Sequence, residues 1–179
     1  MAGHSKWEQI KRAKGAADAA RSKLFSKYGR LLAAASKKCA GDPNAPELRA
    51  IIEKAKKENM PKDNIERAVK KGNSVDQSAM EALIYEGYGP GGAALVIEAL
   101  TDNRNKAAQE VKHILTKNNA TFGAIGSASW AFEKTNDGYV PQTEVILNKD
   151  DSEALIKLME ELEDNDEVQN VYTNAILED

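Results

Sequence analysis

Charge divides this chain into two halves of opposite sign. Residues 1–71 contain 18 Lys and Arg against 8 Asp and Glu, whereas residues 72–179 contain 7 against 20. A polar, glycine-containing stretch at 71–74 lies between the halves and follows a helical pattern. Such an asymmetry indicates two domains, and it predicts a polyanionic partner for the basic half.

Length and composition narrow the class of protein. A chain of 179 residues suits one medium domain or two small ones, and a hydrophobic content of 41% can fill their cores. No run of 18 apolar residues occurs, and the N-terminus lacks the apolar segment of a signal peptide. We therefore predict no transmembrane helix, no membrane partner and a cytoplasmic location.

The basic half opens with a cationic segment and continues into a helix. Residues 1–17 have no clear apolar period and are predicted to form a flexible arm that orders on binding. Asp18 can cap a helix that runs to about residue 38. At 100° per residue its apolar side chains share one face, namely Leu24, Phe25, Tyr28, Leu31, Leu32 and Ala35.

Two shorter helices are predicted after a break rich in Gly and Pro. The first covers about 47–59 and the second begins at Pro61, a residue suited to a first helical turn, and ends at Gly72. The basic half is therefore predicted to be a three-helix bundle at 18–72.

The cations of the first helix have no acidic neighbours in sequence. No Asp or Glu occurs between Asp18 and Asp42, so i,i+4 ion pairs cannot neutralise them. We interpret this surface as a nucleic-acid interface, with a lipid surface and a solvated helix face as the alternatives. Lipid binding is disfavoured because the apolar face is needed to close the bundle. The candidate contacts are His4, Lys6, Trp7, Lys11, Arg12, Lys14, Arg21, Lys23, Lys27 and Arg30.

Two of these candidates have alternative interpretations. Trp7 can stack on a base of a single strand, or it can anchor the arm on the bundle. Arg21 falls on the apolar side of the helix, where its charge either snorkels to solvent or belongs to an irregular first turn. The arm contains Gln9 as its one amide side chain, which favours contacts to the backbone over readout of bases.

The acidic half is predicted to alternate strands and helices. The expected elements are strands at 93–100, 129–133, 142–147 and 168–173, helices at 104–118 and 150–162, an edge strand at 82–86, a loop at 122–127 and a hairpin turn at 136–138. Asp102 or Asn103 is expected to cap the first of these helices. The order βαββαβ predicts a ferredoxin-like domain at 79–179, and the whole chain is therefore of the α+β class.

No constellation of residues indicates a reaction. Gly87, Gly89 and Gly92 fit the spacing G-x-G-x-x-G, but a strand rather than a helix follows them, which favours a tight turn over a dinucleotide site. His4 and His113 lie far apart, and no Cys or His spacing suits zinc. We predict no catalytic residues, no metal site and no cofactor, and therefore no enzyme.

Several segments resemble those of the YebC/PmpR family. The resemblance covers nearly the whole chain in order, and it is carried by residues 1–7, 10–11, 18–25, 84–92, 102–107 and 162–172. It implies a cytoplasmic DNA-binding transcriptional regulator. It also allows translation factors, because mitochondrial relatives activate cytochrome oxidase synthesis and some bacterial members act at ribosomes stalled on proline-rich sequences.

This chain departs from the family pattern in one respect. Members usually carry a third domain after the strand that corresponds to 129–133, whereas here a short turn closes that point. We therefore expect a short form of the family that lacks the third domain. Our leading hypothesis is a DNA-binding transcriptional regulator, and the alternative is a ribosome- or RNA-associated translation factor that uses the same basic surface. A third hypothesis is an adaptor whose acidic domain binds a protein.

Overall fold

The structure, a computed structural model, describes residues 18–178 of the chain. These residues form two compact units with a boundary between Glu81 and Ala82. The predicted basic arm at 1–17 lies outside the described residues.

The first unit is built from three helices. They are α1 (Asp18–Lys38), α2 (Pro46–Lys57) and α3 (Lys62–Gly72). Pro46 opens α2 at a position where a helix needs no N–H donor, and Gly41, with φ of 78°, turns the chain before it. The apolar core consists of Leu32, Ala35, Leu48, Ala55, Met60 and Ile65. The predicted N-terminal helical unit is confirmed.

Small residues let α1 and α3 approach closely. Gly72 packs against the backbone of Ala33, and a methyl group at position 72 would overlap it. The buried Ser36 hydroxyl donates a 2.6 Å hydrogen bond to the carbonyl oxygen of Val69 on α3. The pairing of α1 with α3 is therefore fixed at one end by backbone contact and by a buried hydrogen bond.

From Glu81 onwards the chain forms a sheet with helices on one side. Its elements are β1 (Glu81–Tyr88), β2 (Ala94–Thr101), α4 (Arg104–Lys117), β3 (Thr121–Gly123), β4 (Phe132–Thr135), β5 (Gly138–Pro141), β6 (Val145–Ile146), α5 (Lys149–Asp164), β7 (Val168–Thr173) and β8 (Ala175–Ile176). The main sheet has four strands in the order β3-β1-β2-β7, with β2 antiparallel to β7 and β1 antiparallel to β3. Strands β4 and β5 form a hairpin, and β6 pairs in parallel with β8.

Strand β2 is buried on both faces. Leu95 and Ile97 belong to the core that contains residues of α4 and α5, whereas Ala94 and Val96 belong to a second cluster with Phe132 of the hairpin. Because side chains alternate along a strand, burial of both faces requires a continuous apolar run, and residues 93–97 supply it.

The α+β class is confirmed, but the strands of the main sheet differ from the ferredoxin-like prediction. Segment 82–86 is part of β1, which is an interior strand rather than an edge, and the predicted loop at 122–127 begins with β3. Segment 129–133 starts as a 3₁₀ turn and joins the hairpin, and 142–147 contributes only β6. Segments 129–133 and 142–147 therefore lie outside the main sheet. Strands β1 and β3 occupy the two places in the sheet that were predicted for these segments.

Two predicted turns are confirmed. Thr135 pairs with Gly138 across the hairpin, and Gly138 has φ of 116°. The glycines after β1 form a 3₁₀ turn with φ of 67° at Gly91 and 78° at Gly92, and β2 follows directly. The first turn of α5 packs against these glycines with the acidic side chain of Asp151 near Gly91, and no helix begins directly after them, so the turn lacks the geometry of a dinucleotide site.

None of the helices within residues 18–178 is both long enough and apolar enough to cross a membrane.

Candidate nucleic-acid interface

An open groove of about 600 Å³ lies between α1 and α3. Its walls come from the outward faces of both helices, with one methionine from the α2–α3 connection and one from the segment after α3. The lining residues are Arg21, Ser22, Phe25, Ser26, Gly29, Ala33, Met60, Asn64, Arg67, Ala68, Lys71 and Met80.

Three cations border this groove. Arg21, Arg67 and Lys71 are exposed, and within the described part of the chain no acidic side chain is among the lining residues. Glu66, the acid next to Arg67 in sequence, instead pairs with Lys62 at 3.5 Å. The groove therefore has a positive field that attracts an anion.

Hydrogen-bonding groups lie beside the charges. The Arg67 Nη2 group donates a 3.1 Å hydrogen bond to Asn64 Oδ1, which orients the guanidinium on the surface of α3. Ser22 and Ser26 add hydroxyl groups from α1. A guanidinium, an ammonium and hydroxyls are the groups that proteins use on phosphate oxygens.

The floor of the groove is apolar. Met60 is buried, and Phe25 and Ala68 are partly buried against the bundle core. A side chain at Gly29 would meet no atom within 4 Å, so the floor is open there. An apolar floor rimmed by cations suits a ligand that has both phosphate and a flat apolar part, which describes a nucleotide.

The structure separates the predicted site residues into three groups. Arg21, expected on the apolar side of α1, is exposed and lines the groove. Lys23, Lys27 and Arg30 are partly buried, do not line it, and each takes part in an interaction of the chain. His4, Lys6, Trp7, Lys11, Arg12 and Lys14 lie outside the described residues.

Two groove residues, Arg67 and Lys71, are not among the contacts predicted from the sequence. With Asn64 they follow the spacing of one helical face, so a helical projection of α3 could have grouped them. Nothing in the sequence indicates that this face borders α1, because that proximity depends on tertiary packing. The groove is thus a feature of the fold rather than of a motif.

No metal centre accompanies the groove. Within residues 18–178, no group of three or more His, Cys, Asp or Glu side chains is arranged to hold a metal ion. Cys39, the single cysteine of the chain, is a partly buried thiol.

Family comparisons agree with the division into two units. Residues 5–75 match the TACO1/YebC protein N-terminal domain, and residues 80–136 and 133–175 match the TACO1/YebC second and third domain. The two parts of the latter match meet at 133–136, within the β4–β5 hairpin.

Individual relatives match along nearly the whole chain. A probable transcriptional regulatory protein of Geobacter sulfurreducens is 39% identical, over 97% of this chain and 95% of its own length. Another with the same description, from Halothermothrix orenii, is 43% identical over 97% of this chain and 70% of its own length. The crystal structure of a conserved hypothetical protein from Aquifex aeolicus, Aq1575, is similar with a TM-score of 0.79 and 30% identity, covering 89% of this chain and 91% of that one.

The alignment with the Geobacter protein shows that the relative is longer than this chain. It extends over 235 positions, whereas this chain has 179 residues, so the relative contains residues that have no counterpart here. A break in the family match at 133–136 is what a short form without an inserted domain would give.

Proposed function

Because this chain belongs to the TACO1/YebC family, we propose that it regulates gene expression by binding nucleic acid, with the groove between α1 and α3 as a contact for the phosphate backbone. The observation that supports this proposal is the set of three cations, Arg21, Arg67 and Lys71, around a groove without an acidic lining residue. The names of the relatives, probable transcriptional regulatory proteins, favour DNA as the target.

One feature of the groove favours RNA or another single strand as a second candidate. In a duplex the bases are stacked inside and present only their edges, whereas an unpaired base offers a flat apolar face. The flat face of an unpaired base can pack on the side chains of Phe25 and Met60, which form part of the groove floor. The alternative function is therefore a ribosome- or RNA-associated translation factor that uses this surface.

Charge reversal tests whether the groove is the contact. In the full chain, Arg67→Glu together with Lys71→Glu should weaken binding of a short duplex DNA or a single-stranded RNA by at least about tenfold, measured by fluorescence anisotropy. The matched control is Lys57→Glu with Lys70→Glu, which changes net charge equally at exposed positions that do not line the groove. Equal losses in both variants would mean that only overall charge matters, and the groove would be rejected as the site.

The target class needs a separate experiment in cells. Crosslinking of the full chain followed by sequencing of the bound nucleic acid should recover promoter DNA if the protein acts on transcription. Recovery of ribosomal RNA, reduced by the two groove substitutions and not by the control pair, would establish the alternative.

A further inference from the structure

The floor of the groove between α1 and α3 has room for a planar ring. Three of the lining residues, Gly29, Ala33 and Ala68, carry no side chain larger than a methyl group. A side chain added at Gly29 would meet no atom within 4 Å. The volume of about 600 Å³ lies within the range of roughly 300–1,000 Å³ that is usual for small-ligand sites. The groove is therefore large enough for a base and its sugar as well as for a phosphate.

An aromatic ring lies beside this open space. Phe25 precedes Gly29 by about one helical turn, so the two residues share one face of α1, and both line the groove. Phe25 is partly buried against the bundle core, which holds its ring in place while part of it faces the groove. Nucleic-acid bases stack on aromatic side chains, and every base has a flat face that can do so. Phe25 thus supplies a surface for a base, and Gly29 leaves the space that the base needs.

Cations lie on both walls of the groove. Arg21 belongs to α1, whereas Arg67 and Lys71 belong to α3. A nucleotide within a strand has one phosphate on its 5′ side and another on its 3′ side, and cations on two walls can neutralise both. A ligand with a single negative charge would use the cations of one wall only.

The polar groups of the groove do not select a particular base. Among the described lining residues, Asn64 is the amide side chain, and its Oδ1 atom accepts the hydrogen bond from Arg67. Reading adenine by an amide requires its oxygen and its nitrogen together. Recognition in the groove therefore depends on whether a base is unpaired, and not on which base it is.

We infer that the groove seats a single unpaired nucleotide, with its base over Gly29 against the ring of Phe25 and its flanking phosphates on the three cations. The recognised feature is then a bulge, a loop or a strand end, in DNA or in RNA, rather than a continuous duplex. This inference rests on the proposed function and adds to it the structural feature of the nucleic acid that is bound.

Three DNA duplexes separate the effect of the base from the effect of charge. The first is fully paired, the second carries one bulged nucleotide, and the third carries an abasic residue at the bulge. The second and third have the same number of phosphates and differ only in the base. The full chain should bind the bulged duplex about tenfold more tightly than either of the others, measured by fluorescence anisotropy at one salt concentration.

A substitution that fills the space for the base tests its position. Gly29→Leu keeps all three cations of the groove, and its preference for the bulged duplex over the abasic one should disappear. Ala50→Leu is the matched control, because it adds a leucine side chain at an exposed position of α2 that does not line the groove, and it should keep the preference. Leucine has a higher helix propensity than glycine, so both variants should fold, which their unfolding midpoints verify.

Three results would overturn the inference. Equal affinity for the bulged and the fully paired duplex would mean that no unpaired base is bound. Equal affinity for the bulged and the abasic duplex would assign the preference to backbone flexibility, and this comparison needs no variant. Equal preference in Gly29→Leu and Ala50→Leu would place the base outside the groove.

Failure of this inference differs from failure of the proposed function. If the groove contacts phosphates but no base, Arg67→Glu with Lys71→Glu still weakens binding of all three duplexes more than the control pair Lys57→Glu with Lys70→Glu does. Equal losses in the two charge-reversal pairs would reject the groove as a nucleic-acid site, and the inference with it.

Discussion

Ala33 and Gly72 bring the backbones of α1 and α3 into direct contact. A methyl group at Gly72 would overlap the carbonyl oxygen and the Cα of Ala33, so only glycine fits at this position. The groove lies between the same two helices, and Ala33 is one of its lining residues. Its width therefore depends on the absence of a side chain at residue 72.

We expect Gly72→Ala to destabilise the helical unit by about 1–3 kcal/mol, because the overlap must be relieved by moving a backbone. Gly29→Ala provides the control, since its new methyl meets no atom within 4 Å. This second variant should gain roughly 0.5–1 kcal/mol from the higher helix propensity of alanine. Equilibrium unfolding in urea measures both, and a Gly72→Ala protein as stable as the unchanged chain would contradict the packing described.

The groove also predicts how binding depends on salt. Removing one phosphate contact should lower the slope of log affinity against log salt concentration by about 1 on duplex DNA. We expect this change for Arg67→Ala and for Lys71→Ala. Lys70→Ala, one position away and outside the groove lining, should keep the slope of the unchanged protein. Anisotropy titrations at several salt concentrations measure the slopes, and identical slopes in all three variants would argue against the groove.

The Glu86 carboxylate predicts a pH dependence of stability. Burial alone raises its pKa, but the hydrogen bonds from Gly126, Ser129 and Ala128 together outweigh burial, so the pKa lies below its ordinary value of 4.5. A carboxyl whose pKa is lower in the folded state binds protons more readily when unfolded. Its contribution is therefore complete above pH 4.5 and is lost as the pH falls through the folded pKa.

Substitution of this residue isolates that contribution. Glu86→Gln should reduce stability at neutral pH by about 2 kcal/mol, because a neutral amide replaces a charged acceptor of three N–H groups. The difference between the two proteins should shrink below pH 4.5, where the carboxyl of the unchanged chain becomes protonated. Urea unfolding at a series of pH values gives the curve, and a difference that is constant down to acidic pH would show that folding does not lower the pKa of Glu86.

The N-terminal cap of α4 can be tested by substitution. Asn103 Oδ1 accepts a 3.1 Å hydrogen bond from the Lys106 N–H and so caps the helix. Asn103→Ala should cost about 1 kcal/mol of stability. Asp102→Ala changes the adjacent exposed residue, which does not cap the helix, and its effect should be smaller. Thermal unfolding of the two variants compares them directly, with equal losses as the contrary outcome.

Helices could be predicted from this sequence because their signals are local. The structure places α1 at Asp18–Lys38, and α3 ends at Gly72, as the apolar period and the breaking residues indicate. The sequence alone does not decide whether Asp102 or Asn103 caps α4, since either side chain can accept the hydrogen bond. In the structure the Asn103 side chain accepts the hydrogen bond from the Lys106 N–H, so Asn103 is the cap.

Strands of the sheet were harder to predict, and β1 shows why. It contains a buried carboxylate, Glu86, followed by Gly87, and neither residue type favours a strand. The carboxylate is acceptable because a loop some 40 residues later supplies its hydrogen-bond donors. No short stretch of the sequence contains both the Glu86 carboxylate and the N–H groups that it accepts hydrogen bonds from.

The candidate groove has the same non-local origin. Positive charge on α1 could be predicted from the absence of acids between residues 18 and 42. The partners of Arg21 in the groove, Arg67 and Lys71, lie on a different helix, and they come near it through the tertiary packing of α1 on α3, which includes the Ala33–Gly72 contact and the Ser36–Val69 hydrogen bond.

The β4–β5 hairpin lies inside a long loop of chain that is closed when the main sheet forms. The two ends of this loop are β2 and β7, which pair residues about 80 positions apart, such as Leu95 and Thr173. The entropy of closing a loop grows only with the logarithm of its length, so even doubling the loop costs about 0.6 kcal/mol. A domain carried at this hairpin would thus hardly change the free energy of forming the sheet. Its gain or loss among relatives can follow what the domain does, without being constrained by whether the protein still folds.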